Sequence, residues 1–528
     1  MSARRITRRS LLVTSVGALG SGVLRPRTAL ALLGGPPYPT LAQHWLGALT
    51  PTITTVELAS PADLVGVEWQ GSAREQLSLR FRGRGRRWSS WVSAGTNGHG
   101  PDVRPQTDRQ VGEPIWTGGT TSVQVRATGR VSDAKLHLVN VGGKAEVGPP
   151  GMSSAPLAST ANLALATPIL PAGAGQPPII ARKAWARGMA PPRVAPEYGA
   201  VEMAFVHHTE NPNGYAAGEV PAMLRAIYVF HRHVNGWNDI GYNFVVDLYG
   251  RIFEARAGGI DEPVVGAQAG GYNLVSTGIA VLGTFSSVPI SNAARDALEK
   301  LLAWKLSLHG VTSQGRLTVR VNPAGASYSR FPANARVSLP RIAGHRDGDA
   351  TECPGNVLYG ELSAIRAGVR RLAPNPTRVT LTLTTPAVPP EAQTTPESQA
   401  TPGSAGASTP NGTPSGSTQV LSGTVELLDG TPLSGAPVQV QARAVSHSGE
   451  VVSERTLGEA TTDAAGQWEL GATPLGAQSG GMWLRVLCPG GPGFGATVST
   501  PLHLPQGISL TAATASPPVQ PTGAPAAT

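Results

Sequence analysis

A chain of 528 residues has room for several domains, and 65 glycines and 47 prolines against 14% charged residues point to β-rich domains joined by extended linkers. Six arginines ahead of residue 31 carry most of the formal charge of +9, leaving 36 basic against 33 acidic residues; with no Lys/Arg run interleaved with aromatics, nucleic acid is excluded as an expected partner. Two cysteines, Cys353 and Cys488, fall in different predicted domains, which excludes a disulfide framework.

The N-terminal "TRRSLLVTSVGALGSGVL" sets Arg8 and Arg9 before an apolar run, and Ala29–Ala31 offers small residues for cleavage. Residues 1–31 are therefore expected to be a twin-arginine signal peptide, with an uncleaved anchor as the alternative, and the protein is expected outside the cytoplasm. No later stretch reaches the roughly 18 apolar residues of a membrane helix, so no stable membrane span is expected.

From 52 to 145, "LVGVEW", "QLSLRFR", "SVQVRA" and "AKLHLVNV" alternate with period two between Gly and Asp punctuation, predicting a β-sandwich. Trp88 and Trp91 of "RRWSSWVSAG" either pack inside it or face a glycan. An Ala/Pro-rich linker covers 146–178. From 179 to 374 strands alternate with helices: "MAFVHHT", "YNFVVDLYGRIFEA" and "TGIAVLGTF" are predicted strands, the second a hairpin turning at Asp247 to Gly250. "VPAMLRAIYVFHRH" spaces Val220, Leu224, Ile227 and His231 as one helix face, and a second helix starts at a Ser291 cap and ends at Gly310. This pattern predicts a mixed sheet covered by helices. Residues 387–418 have almost no large apolar side chain and are expected to be a disordered linker; 512–528 are a similar tail. Between them, 419–505 alternates like an immunoglobulin-like sandwich. Its "G-x-P-L-x-G-A-x-V" stretch is similar to the carboxypeptidase-regulatory-like modules of exported proteins, which implies a spacer or adhesion role.

Chemistry concentrates in "GHRDGDATECPGN", Gly344 to Asn356. A catalytic zinc site takes three protein ligands and keeps a fourth position open. His345 and Cys353 supply two donors if the loop between them, relaxed at Gly348 and stiffened at Pro354, folds back. A third is available from "AFVHHT", where strand alternation sends Phe205 and His207 to one face and Val206 and His208 to the other. Glu352 and Asp347 are the nearby carboxylates. Cys488 in "RVLCPGG" is most simply a small core residue.

"FVHHT", "GWNDIGYNFVVDLYGRIFEAR", "STGIAVLGTF" and "GHRDGDATECPGN", with the earlier "IIARKAWA", resemble in order and spacing the peptidoglycan recognition proteins and the related type-2 N-acetylmuramoyl-L-alanine amidases. The resemblance covers about 179–374. It implies a multidomain protein with a central α/β amidase domain flanked by N- and C-terminal β-sandwiches. It further implies a Zn²⁺ cofactor held by His207, His345 and Cys353, Tyr242 as active-site phenol and Thr351 as a catalytic hydroxyl, with peptidoglycan muropeptides as partner. His208, His231, Trp237, Gln268 and Asn273 become candidate substrate contacts; Gln268 of "GAQAGG" stands where the family often has histidine. The implied reaction is hydrolysis of the amide between N-acetylmuramic acid and L-alanine. A binding protein without activity is the alternative, although binding-only members commonly lack the cysteine that this chain keeps.

Overall fold

The computed structural model describes residues 39–71, 76–83, 85–95, 99–102, 109–141, 168–169, 175–373, 375–384, 419–445, 451–475, 482–504 and 509–512. The expected signal peptide and the 387–418 linker lie outside these residues, as do most of the 146–178 connector and of the 512–528 tail.

The N-terminal domain consists of β1 (Thr40–Leu49), β2 (Thr54–Gln70), β3 (Leu77–Arg82), β4 (Val92–Ala94), β5 (Arg109–Val111), β6 (Ile115–Ala127) and β7 (Val131–Asn140). Instead of the two sheets expected of a sandwich, the described strands form one antiparallel sheet in the order β1-β7-β2-β6-β3-β4, with β5 pairing to β2. The reason lies in β2, a 17-residue strand whose pairing with β6 shifts register between Glu57 and Leu64. Such bulges bend and twist a long strand, so a single sheet curls over its own core of Val65, Val67, Trp69, Leu79, Val125 and Leu136. The domain also starts earlier than residue 52, since β1 pairs along β7. Trp88 and Trp91 are half-buried outside that core, their rings under the guanidiniums of Arg80, Arg82 and Arg126 at 4.3–5.4 Å.

The central domain is built on β8 (Pro168–Ile169), β9 (Ile179–Ile180), β10 (Met203–His208), β11 (Phe244–Val246), β12 (Ile252–Glu254), β13 (Ser276–Val281), a hairpin of β14 (Arg316–Arg320) and β15 (Arg336–Pro340), and β16 (Ile342–Gly344). Its helices are α1 (Arg182–Trp185), α2 (Val220–His233), α3 (Asn292–Leu308), α4 (His345–Gly348) and α5 (Asn356–Leu372). The main sheet runs β16-β10-β13-β11-β12-β9-β8, with β16, β10, β13 and β11 mutually parallel and β11–β12 an antiparallel hairpin. Ser291 Oγ accepts the Ala294 N–H at 3.0 Å and so caps α3, while Gly310, at φ 64°, follows its end.

Alternation along β10 divides the layers. Ala204 and Val206 join the core that α3 and α5 close with Leu298, Leu301, Leu362 and Ile365. On the opposite face, Val245 and Ala280 pack with Leu224, Ile227 and Phe230 of α2, and Leu64, Trp116 and Val139 of the N-terminal domain complete that same cluster. Gly66 is required there, because an added Cβ would lie 2.0 Å from the Phe230 ring.

The C-terminal region folds as two five-stranded sheets around Val438, Leu457, Trp468, Leu484 and Cys488. It recruits Thr377–Val379 and Thr382–Thr384 from before the 387–418 segment and Ser509–Ala512 from after residue 505, because each adds a strand to the same one of the two sheets. Among the described residues no helix is long and apolar enough to cross a membrane.

Candidate metal centre

Parallel pairing of β10 with β16 sets Val206 opposite Gly344, so the next residues along the two strands, His207 and His345, emerge side by side at the carboxyl end of the sheet. Their ring centroids are 4.5 Å apart, and both side chains are fully buried. His345 opens α4, whose first turn is capped when Asp347 Oδ2 accepts the Gly344 N–H at 2.9 Å. The chain then turns back through three short links. Arg346 N–H donates to the Cys353 carbonyl at 2.9 Å, Thr351 N–H to the Asp349 carbonyl at 2.9 Å, and Cys353 N–H to Thr351 Oγ1 at 3.2 Å. This return brings Cys353 Sγ to 3.7 Å from His207 Nδ1, and the His208 N–H points at the same sulfur at 3.4 Å.

A fourth group comes from the N-terminal domain. His99 Nε2 lies 3.3 Å from His207 Nδ1, its ring stacks on His345 at 4.5 Å, and its Nδ1 is 2.6 Å from Glu113 Oε1. One donor atom from each of His99, His207, His345 and Cys353 falls within 4.8 Å of the other three, and all four residues are buried.

Each imidazole is tethered outward by an oxygen. His207 Nε2 meets Gln268 Oε1 at 2.7 Å, His345 Nε2 meets Asp349 Oδ2 at 2.9 Å, and His99 is held by Glu113. An oxygen acceptor at one ring nitrogen places the proton there and leaves the other nitrogen's lone pair for a metal. Lone pairs of His99 and His207 therefore face each other beside a thiol, which is the donor chemistry of a cation site, and the residues present fit Zn²⁺. The electrostatics agree. Burial, and then proximity to His99, holds His207 well below the usual imidazole range, and burial pushes the Cys353 thiol well up, so a thiolate persists there only beside a positive charge.

Tyr242 is buried against the cluster, its ring 5.4 Å from those of His207 and His99, and burial pushes its phenol well above the ordinary tyrosine range. Thr351 spends its hydroxyl oxygen as acceptor for the Cys353 N–H. Neither nearby carboxylate is aimed at the centre: Asp347 caps α4 and accepts the Tyr359 hydroxyl at 2.6 Å, and the Glu352 side chain is 86% exposed.

All five candidate substrate contacts are buried among protein partners in this structure, Asn273 beneath the N-terminal domain. His208 lies on the α3/α5 side of β10, where its Nδ1 accepts the Phe285 N–H at 3.3 Å, because period-two alternation takes it away from His207. Gln268 does not line a groove; it holds His207 from behind and donates to Ser276 Oγ at 2.9 Å. His231 accepts the Gly241 N–H at 3.1 Å and packs against Trp237 at 4.5 Å, both rings buried, and its own ring lies 5.8 Å from that of Tyr242. Asn273 Oδ1 accepts the Gln268 and Ala269 N–H groups, while its Nδ2 donates to the Gly100 carbonyl and to Asp102 Oδ1. The residues that sequence reasoning missed are thus Asp349 beside His345 and, from the N-terminal domain, His99, Asp102 and Glu113. The cue to the N-terminal group was a histidine between two glycines in "GHGPD", and Asp349 lies four residues after His345 in the stretch already singled out.

Residues 197–356 match the family described as N-acetylmuramoyl-L-alanine amidase, and residues 29–156 match an N-terminal galactose-binding domain-like family. Peptidoglycan-recognition protein SC2 of Drosophila simulans is 28% identical over 159 residues, which span 30% of this chain and 71% of that protein. An N-acetylmuramoyl-L-alanine amidase of Mus musculus is 28% identical over 284 residues, 52% of this chain and 45% of that protein. The solved structure of wild-type Drosophila PGRP-LB aligns over 35% of this chain and 92% of its own, at 26% identity and a TM-score of 0.27. The middle of the chain accordingly carries a domain of the peptidoglycan recognition and type-2 amidase family, preceded by a galactose-binding-like domain.

Proposed function

We propose that this protein is an exported, zinc-dependent N-acetylmuramoyl-L-alanine amidase that cleaves the amide between N-acetylmuramic acid and the L-alanine of the peptidoglycan stem. The observation that carries this reading is the convergence of His207, His345 and Cys353, from two parallel strand ends and one return loop, beside the phenol of Tyr242. The family match supports a peptidoglycan-binding or amidase role, and the retained thiol favours the amidase.

His207, His345 and Cys353 would hold the zinc, which would supply Lewis acidity for activating water near neutral pH and polarising an amide carbonyl. The chain's own groups do the rest. Gln268 and Asp349 keep His207 and His345 in the tautomers that present Nδ1 inward. Tyr242, held protonated by burial, donates a hydrogen bond to the oxygen that becomes negative as the amide carbonyl is attacked. Thr351 fixes the Cys353 backbone and so the position of its sulfur.

Incubating the full chain with purified muropeptides tests the reading. A new amino terminus at L-alanine, lost with a chelator and restored by zinc, is expected; cleavage at any other bond would overturn it. Export belongs to the same proposal and rests on Arg8 and Arg9 before the apolar run. Replacing both by lysine is expected to leave precursor in the cytoplasm, whereas unchanged export would mean another route.

A further inference from the structure

Four protein donors converge where the proposed catalysis needs three. Structural zinc sites are closed by four protein ligands, whereas catalytic sites keep a position open. We propose that the N-terminal domain supplies His99 as a fourth protein ligand to the metal of the amidase domain, so that the full chain rests as a closed, latent enzyme that opens only when segment 99–102 withdraws. The inference deepens the amidase reading and rests on it.

His99 is presented as a ligand and not merely packed nearby. Glu113 Oε1 holds Nδ1 at 2.6 Å and so directs Nε2 to the centre, the arrangement of a carboxylate–histidine–metal triad. Glu113 is itself fixed, its N–H donating to the Gly95 carbonyl at 3.0 Å.

A separate clasp holds the same segment down. Asp102 Oδ1 accepts the Gly271 N–H at 2.8 Å and Asn273 Nδ2 at 2.9 Å, Asp102 Oδ2 accepts Asn322 Nδ2 at 3.1 Å, and the Gly100 carbonyl accepts Asn273 Nδ2 at 2.8 Å. Gly100 passes so close to Tyr328 that an added Cβ would lie 2.1 Å from its ring. Behind the clasp, the domain is seated on α2 through Leu64, Trp116 and Val139, and the Trp116 N–H donates to Asn211 Oδ1 at 2.6 Å.

The consequence is steric as well as chemical. His207, His345, Cys353 and Tyr242 are each at most 4% exposed, and segment 99–102 lies over them and over Asn273. A peptidoglycan strand, a polymer that must bring a muramyl amide to the metal, reaches these groups only after the segment moves. Withdrawal uncovers the cleft and vacates one metal position in the same motion.

The test compares full-length wild type with His99→Ala and Asp102→Ala. Three quantities are measured: zinc affinity by chelator competition, the visible spectrum of the cobalt-substituted protein with and without azide, and the muropeptide amidase rate. Wild type is expected to give a cobalt spectrum that azide does not change. His99→Ala should respond to azide, bind zinc about 10–100-fold more weakly, and turn over about tenfold faster because the competent state is no longer a minor one. Asp102→Ala keeps all four donors and loosens only the clasp, so its rate should rise with zinc content unchanged. If His99→Ala matches wild type in azide response and zinc affinity, or if either variant is slower than wild type, the latency proposal is wrong while the amidase reading stands. If wild type takes up neither zinc nor cobalt, both fail together.

Discussion

The amidase domain is gripped on two sides, and the two grips differ in kind. On the C-terminal side Arg443 and Arg485 enter a buried acidic pair: Arg443 Nη1 donates to Asp261 Oδ1 at 2.9 Å and to Glu262 Oε1 at 2.8 Å, and Arg485 joins the same carboxylates while its Nε donates to Gln441 at 2.8 Å. Burial opposes ionisation of Asp261, but the two guanidiniums outweigh it and hold its carboxyl well below the usual range. Lys305 of α3 donates to the Ile260 and Glu262 carbonyls beside them, and burial pushes its ammonium down to about 7. On the N-terminal side the charged groups Asp102 and Arg109 bond neutral partners of the central domain, and the His99 imidazole reaches the candidate metal centre. Paired opposite charges thus join the C-terminal side, whereas the N-terminal side, among the described residues, pairs no charges across the joint and places a histidine at the candidate site. Buried ion pairs are weak evidence for net stability but costly to break singly, which suits a fixed joint. A neutral ligand on a short clasp suits a joint that opens.

The largest expected effect belongs to the fixed joint. Arg485→Ala leaves Asp261 and Glu262 buried with only Arg443 between them and should cost about 3–5 kcal/mol, measured as chemical or thermal unfolding of the full chain. Zinc content and amidase rate well below the transition should not change; a loss of metal in this variant would erase the distinction between the two sides. Next comes Tyr242→Phe, on the chemical side. It removes one donor to the developing oxyanion and should lower turnover about 10²–10³-fold with zinc stoichiometry intact. Full activity would remove Tyr242 from the mechanism. The smallest is Gln268→Leu, which deletes the tether of His207 without touching a metal donor. Zinc affinity should fall about 10–100-fold, read by chelator competition, with unfolding little altered. Unchanged affinity would mean that the β10 backbone alone orients the ring.

Much of this arrangement is legible in the sequence because it is local. Period-two alternation separates His207 from His208, the turn residues Asp247 to Gly250 mark the β11–β12 hairpin, and Ser291 and Gly310 bound α3. The return from His345 to Cys353 spans seven intervening residues, short enough for spacing to imply a shared ligand. What stayed hidden is non-local. His99 precedes His207 by 108 positions and belongs to another domain, so no spacing or period connects them. Gln268, in turn, looks like a groove residue because it replaces a histidine of the family, and only its bond to His207 shows that it faces the other way. The N-terminal sheet escaped for a similar reason, since individual strands are visible in the pattern but the register shifts that let β2 serve one continuous sheet are not.

The central claim is that Cys353 is kept as a thiolate ligand, and metal analysis of Cys353→Ser tests it most directly. Wild type purified at full length should hold one zinc per chain. The serine variant should keep the circular dichroism and unfolding cooperativity of a folded protein, because the sheet and helix cores are built from other residues, yet, with only imidazole donors left at the centre, bind zinc far more weakly in chelator competition and hydrolyse almost no muropeptide. A folded Cys353→Ser protein that retained one zinc per chain and wild-type turnover would show that the thiol is only a buried core residue, and the proposed centre would be wrong.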